Sequence, residues 1–217
     1  QEAVGVDLGV ADLAILSDGT KFSGNKPLKK SLKKLKRLSR SLSKKQWVEE
    51  VYTDKDGVER KRKVPSKNYL KAKTKLARLH AKIANIRKDC LHKITTYLIQ
   101  KYDIICIEDL NVKGMMQNKK LARAISDMGF YEFKRQLLYK AEMCGKYIVL
   151  ADRWFPSSKT CSECGHKMEK MPLSVREWDC PNCHTHHDRD INAAINLKKY
   201  GLEYHYGTKP TESSNTA

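Results

Sequence analysis

The chain opens on an apolar run, Val4 to Leu8, short and Val-rich, which predicts a buried strand. A second strand is expected from Leu13 to Leu16, and Asp18-Gly19 supplies a tight turn into Lys21-Phe22-Ser23. From Lys26 to Gln46 the period changes: Leu28, Leu32, Leu35, Leu38 and Leu42 recur at intervals of three and four, the spacing of one helix face. Trp47 to Val64 breaks that period with Val48, Glu50 and Tyr52 in alternation and a turn at Asp56-Gly57, so it reads as a charged hairpin inserted between two helices. Pro65-Ser66 starts the second helix, running to about Gln100 with Leu76, Leu79, Ile83, Ile86, Leu91 and Leu98 as its apolar positions. Tyr102 to Glu108 predicts a fully buried strand, Tyr131 to Cys144 a helix, Tyr147 to Leu150 a strand and Asp188 to Tyr200 a closing helix. The Thr, Ser, Asn and Pro of 207–217 predict a disordered tail.

With 217 residues the chain can bury a sizeable core, as one domain or one domain plus a small module. No run of about 18 apolar residues occurs, so no membrane-spanning helix is expected, and no secretory h-region follows the N-terminus. A chain that starts at Gln1 and enters a strand within four residues suggests a piece lacking its N-terminal part. The net charge of +18 calls for an anionic partner. Nucleic acid fits best, because each phosphate neutralised releases counterions; an anionic membrane would need an amphipathic helix with a Trp or Phe stripe, which is absent. Lys26 to Gln46 holds ten Lys and Arg and no acid, too one-sided for an ordinary solvated face. Its Lys29, Lys30, Lys33, Lys34, Lys36, Arg37 and Arg40 are candidate phosphate contacts, as are Lys159 and Arg189.

Seven cysteines divide by spacing. Cys90, Cys106 and Cys144 stand alone in apolar or helical patterns and are expected to be buried thiols. Cys161, Cys164, Cys180 and Cys183 form C-x2-C-x15-C-x2-C, two knuckles able to surround one tetrahedral zinc. An odd cysteine total and no signal peptide favour a reducing compartment over two disulfides. That points to the cytoplasm, and with this charge to the nucleoid of a prokaryote.

Three acids stand where acids are locally disfavoured. Asp7 lies in the first strand with Gly5 and Gly9 on its face, which would clear space for a ligand. Glu108 ends the Ile104-to-Glu108 run, and Asp190 sits in the first turn of the last helix, where Ala193 and Ala194 would allow tight packing on the sheet. Singly each has a bland reading as a cap, a solvated end or a helix-dipole partner. Together they would repel by several kcal/mol at an effective dielectric of about 20, and hard oxygen donors of this kind suit magnesium or manganese. Two such ions about 4 Å apart can hydrolyse a phosphodiester. No Ser-His-Asp or Cys-His arrangement competes; His186 and His187 adjoin the second knuckle and read as positional or phosphate-facing.

Four landmarks in this order resemble the TnpB family of transposon-encoded RNA-guided DNA nucleases, also described as OrfB-type proteins. They are Gly5-Val6-Asp7-Leu8-Gly9, Ile107-Glu108-Asp109-Leu110-Asn111, Ser157 to His166 around the first knuckle, and Cys180-Pro181-Asn182-Cys183 running into Asp188 to Ala194. Miniature type V CRISPR effectors look similar over the same segment. The resemblance implies an α/β, RNase H-like (RuvC) fold, a mixed sheet with helices and an inserted zinc ribbon. Its expected parts are a nuclease core over 1–157 carrying a basic helical insertion at about 26–100, a zinc module over 158–187 and a core-completing helix over 188–206. It also implies Asp7, Glu108 and Asp190 as catalytic triad, magnesium or manganese as catalytic ion, a guide RNA and a target DNA. Asp188 is the rival third acid: two residues apart on a helix, it and Asp190 point about 200° apart, and the family pattern favours Asp190. His184 stands where the family usually has glycine, a position that often needs positive φ. A guide-directed DNA binder that no longer cuts, and a zinc ribbon without a nuclease fold, are the competing readings; the first would have lost triad acids, and the second leaves Asp7 and Glu108 unexplained.

Overall fold

A computed structural model describes residues 1–172 and 174–207; the predicted disorder of the tail falls, but for Gly207, outside them. The described residues form two compact units, one built from Gln1–Asn25 and the chain from Asp89 onward, the other from Lys26–Lys88.

The larger unit is organised by a five-stranded sheet. Strands β1 (Ala3–Asp7), β2 (Ala14–Leu16) and β3 (Lys21–Phe22) form an antiparallel meander. After β4 (Trp47–Thr53) and β5 (Glu59–Pro65) of the smaller unit, β6 (Ile104–Glu108) and β7 (Tyr147–Ala151) add in parallel beside β1, giving the order β3-β2-β1-β6-β7. This is the mixed sheet expected from the sequence. Gly19 takes φ 85° in the β2–β3 turn, a conformation glycine adopts without strain.

Helices pack on both faces, and strand alternation decides which residues each receives. On one face Val4, Val6, Ile105 and Ile107 meet Phe130, Phe133 and Leu137 of α5 (Phe130–Cys144) and Leu91, Ile94 and Leu98 from α2 (Lys67–Lys101). On the other, Ile104, Cys106, Val149 and Ala151 meet Leu197 of α6 (Arg189–His205). Helix α6 lies so close to β1 that a Cβ on Gly5 would overlap the Ala194 carbonyl oxygen and the Lys198 amide. The space beside Asp7 therefore holds helix backbone, not a ligand, and the small Ala193 and Ala194 are fully buried in that contact. Two short helices went unread in the sequence, α3 (Val112–Gln117) and α4 (Ala122–Met128). Each spans two turns or less, too few for a periodic signal.

The lone cysteines depart from expectation. Cys106 is fully buried, its thiol pushed up to about 12 by burial and then by the Glu108 charge. Cys90 is only half-buried and Cys144 is exposed, because it is the last residue of α5, one turn beyond the buried Ala141.

The smaller unit contains α1 (Pro27–Ser43), the β4–β5 ribbon and the first part of α2. Leu35, Leu79 and Ile83 are its buried core, flanked by Leu28, Leu38 and Leu76. The ribbon turns at Gly57 (φ 79°) and is exposed on both faces, with Arg62 bonded to Glu50 at 2.8 Å and stacked over Tyr52 at 4.9 Å. On α1 the leucines face inward, while Lys29, Lys30, Lys33, Lys34, Lys36, Arg37 and Arg40 are all exposed. Lys33, Lys36, Arg37, Arg40 and Lys44 line one hollow with no carboxylate in its wall.

Candidate active site and metal centre

Strands β1 and β6 run parallel with Val6 opposite Ile107, so Asp7 and Glu108 follow as neighbours at their carboxyl ends. Neighbouring strands stand about 4.8 Å apart, and both side chains share the face covered by α6. The first turn of α6 completes the group with Asp190. Burial raises the Asp7 carboxyl well above its ordinary value, and the charges of Glu108 and Asp190 raise it further against the pull of Arg189 and Arg176. Burial also raises Glu108, opposed by the Ser157 hydroxyl, which donates to Oε1 at 2.5 Å. Arg176 Nη1 donates to both oxygens of Asp190, at 3.3 and 3.4 Å.

The two acids of the last helix are held differently. Asp188 is the N-cap of α6: its Oδ1 accepts from the amides of Asp190 and Ile191 at 2.9 and 3.1 Å. Its other oxygen pairs with Lys21 at 2.8 Å. Asp188 is thus committed to the helix and to β3, while Asp190 is held by Arg176 and its charge acts on Asp7.

The four knuckle cysteines come together beside a small antiparallel ribbon of β8 (Glu177–Asp179) and β9 (His186–Asp188). Each knuckle closes in the same way: Gly165 N donates to Cys161 O at 2.9 Å and His184 N to Cys180 O at 2.8 Å. Both closing residues are left-handed, Gly165 at φ 76° and His184 at φ 60°, so His184 accepts the conformation for which glycine is usual. We expect His184→Val to destabilise the module by about 1–2 kcal/mol and His184→Gly to be tolerated, read as zinc retention against a competing chelator.

The four sulfurs lie within 4.8 Å of one another, and among the described residues no other group of three or more His, Cys, Asp or Glu is that compact. Cys161–Cys183 and Cys164–Cys180 are each 3.6 Å apart. A tetrahedron with metal–sulfur bonds of about 2.3 Å has edges of about 3.8 Å, so the cluster can hold zinc. Hydrogen bonds from the Asn182 side chain and the His166 amide bring the Cys164 thiol down to about 6, whereas burial pushes Cys161 up to about 12. His187, buried against Trp178, places Nε2 3.0 Å from the Cys161 sulfur and so orients a ligand. His186 bonds Asp179 at 2.8 Å.

The module is latched to α6. Asn192 accepts from Ser162 N at 2.9 Å and donates to Thr160 O at 2.8 Å; Asn196 donates to Ser157 O and Thr160 O at 2.8 and 2.6 Å; Lys199 reaches Ser162 O. Arg189 belongs to the same latch. It is buried, donating to Pro172 O at 2.8 Å and Ser158 Oγ at 3.4 Å, and is not placed as a solvent-facing phosphate contact. Lys159 is half-buried. Ser157 and Arg176 were missed by sequence reasoning as residues of the site: both types are common in loops, and only folding brings them to Glu108 and Asp190.

Comparison with known proteins places the chain in a family. Residues 1–119 match the OrfB_IS605 family, described as "Probable transposase", and residues 130–197 match the Cas12f1-like TNB domain. A Streptomyces pristinaespiralis protein named "Putative RNA-guided DNA endonuclease" is 42% identical over 92% of this chain and 45% of its own length. InsQ of Escherichia coli, named likewise, is 36% identical over 91% of this chain and 48% of its own. The chain thus spans about half the length of these relatives. Among solved structures, a Cas12f1–sgRNA–target DNA complex superposes with TM-score 0.59 at 18% identity, over 91% of this chain and 49% of the other. CasPhi-2 (Cas12j) bound to crRNA and phosphorothioate-DNA gives 0.53 at 15%, over 92% and 45%. These structures share the α/β architecture of this chain, a mixed sheet with helices. On the match of more than half its length, the chain belongs to the OrfB, or TnpB, family of transposon-encoded proteins.

Proposed function

We propose that this chain carries the nuclease centre of an RNA-guided DNA endonuclease, with Asp7, Glu108 and Asp190 as catalytic carboxylates. The observation that carries the reading is the gathering of these three acids at one end of the sheet, two of them held above their ordinary pKa. Such an arrangement is unfavourable by itself and fits hard divalent cations, magnesium or manganese. When bound, the ions supply a water activated for attack and stabilise the departing oxygen. The chain's own residues do the rest. Ser157 orients Glu108, Asp188 caps the helix that presents Asp190, and Arg176 offers a guanidinium able to turn from Asp190 to a phosphate oxygen. The zinc module, latched to α6, holds Ser157 and Arg176 in register, and guide RNA and target DNA are the partners. Among the described residues no helix is long and apolar enough to cross a membrane.

The test is cleavage of DNA complementary to the RNA that copurifies with the protein as its gene encodes it, in magnesium or manganese, beside an Asp7→Asn control. Cutting that needs both the ion and Asp7 is expected; guide-dependent binding without cutting would overturn the reading. Ser157→Ala should slow cleavage about tenfold and move the acidic limb of its pH profile upward, because a charge-assisted hydrogen bond to Glu108, about 1.5–3 kcal/mol, is lost. Ser157→Thr should retain most of the rate. The exposed cations of α1 are proposed to grip phosphates, so nucleic-acid affinity should fall steeply with salt. Each Lys or Arg replaced among Lys33, Lys36, Arg37 and Arg40 should lower the salt slope by about 1.

A further inference from the structure

Glu108 opens onto a groove of about 230 Å³ that the three acids do not account for. Its wall contains Leu8, Lys113, Phe130, Tyr131, Lys134 and Arg153. Tyr131, in the first turn of α5, is 71% exposed. On the β7 side, Arg153 is followed by Trp154, whose indole is 85% exposed and lines an adjoining hollow that Arg153 also shares. A ring this bare is usually mobile, but its backbone here is fixed. Trp154 N donates to Asp152 Oδ1 at 2.8 Å, Phe155 N to Asp152 O at 3.0 Å, and the Phe155 ring packs on Tyr200 at 4.8 Å. The turn ends at Ser157, which holds Glu108. Asp109 spaces the two cations between the rings, bonding Lys134 at 2.7 Å and Arg153 at 3.5 Å.

We propose that Trp154 and Tyr131, with Arg153 and Lys134 between them, form a track that holds unpaired bases of the DNA strand being cut, on the β7 side of Glu108. The inference rests on the nuclease reading above and names the residues that position the strand. Two exposed rings separated by cations suit a single strand, in which base faces are free to stack and phosphates stay within reach of the cations. A duplex hides those faces and would leave both rings in water. Trp154 and Tyr131 are positioning residues: they fix the strand, and the acids act on it.

The experiment is binding of an oligo-dT strand and of an abasic strand of equal length to the zinc-loaded full chain, without added magnesium or manganese. Tryptophan fluorescence and affinity are read together. Trp154→Ala should weaken oligo-dT binding about tenfold and remove most of the quenching, Trp154→Phe should restore most of the affinity, and abasic binding should not change. Tyr131→Ala should act in the same direction. Unchanged oligo-dT affinity in Trp154→Ala would overturn the proposal, as would an equal loss on the abasic strand. Tighter, Trp154-dependent binding of an oligo-U strand would assign the groove to RNA and overturn it too. Trp154 is exposed, so its variants should fold, which zinc content checks. Cleavage of guided DNA decides the nuclease reading separately: its absence would strike that reading and leave the binding result to decide the track.

Discussion

Asp7→Asn should abolish metal-dependent cleavage and, in the same preparation, stabilise the protein freed of magnesium and manganese. The loss of rate should reach at least about a thousandfold, because a ligand supporting several kcal/mol of transition-state stabilisation is removed at about 1.4 kcal/mol per factor of ten. The gain in stability follows from the direction of the pKa shifts. Asp7 and Glu108 are raised in the folded chain, first by burial and, for Asp7, then by neighbouring carboxylates. A raised group contributes stability in full below its unfolded pKa of about 4 and loses it as the pH climbs through the folded value. Without catalytic ions, therefore, the wild-type chain loses stability from about pH 4 upward on account of these groups. Asp18, Asp109 and Asp188 are held low by hydrogen bonds and lysines and slope the other way. The informative quantity is accordingly the difference between wild type and Asp7→Asn, which should widen with pH. At neutral pH a shift of a few degrees in melting temperature is expected, at about 2–4 °C per kcal/mol for a chain of this size. Adding magnesium or manganese should close the gap by stabilising the wild type alone. A variant that melts with the wild type at every pH, with and without the ions, would show that Asp7 is not part of a charged cluster.

Stripping zinc, or replacing Cys161 by Ser, should silence cleavage although the knuckle cysteines bond to one another and to His187 rather than to the three acids. A structural zinc contributes about 10–16 kcal/mol to folding its ligands at neutral pH, far more than the short β8–β9 ribbon can supply. Without it the knuckles open, and the bonds from Asn192 and Asn196 to Thr160, Ser162 and Ser157 lose their partners. Ser157 then no longer holds Glu108, and Arg176 is released from Asp190. The expected result is one zinc per wild-type chain by elemental analysis, little or none in Cys161→Ser, and cleavage lowered by at least about a hundredfold in the zinc-free protein, the upper range for losing supports that orient a metal site. The sheet core, with Val6, Ile105, Ile107, Phe133 and Leu137 buried, should survive, so helical circular dichroism is retained. Zinc-free protein that cuts at the wild-type rate would separate the module from the centre.

Much of this was legible because local chemistry and tertiary role coincide. The strand and helix periods that place Val4–Leu8, Tyr102–Glu108 and the leucines of α1 are also the pattern of burial. The four cysteines carry their own geometry in their spacing, since two short loops and one tetrahedral ion leave few arrangements. Asp7, Glu108 and Asp190 stood out because a carboxylate in an apolar strand, or beside paired alanines, needs a partner. Where a residue's chemistry was ordinary, the sequence said less: Ser157 is one serine among many, and Arg176 one arginine on a basic chain.

The periods, the knuckle spacing, the excess of positive charge on α1 and the family landmarks were all readable from residue order, because each is written in neighbouring residues. Folding in three dimensions tied Asp188 to the α6 cap and Lys21, turned Gly5 from a ligand space into a helix contact, took Arg189 out of solvent and put Trp154 and Arg153 around one hollow. Those outcomes depend on which strand pairs with which and how closely α6 lies on β1, contacts between residues up to about two hundred positions apart that no local pattern encodes.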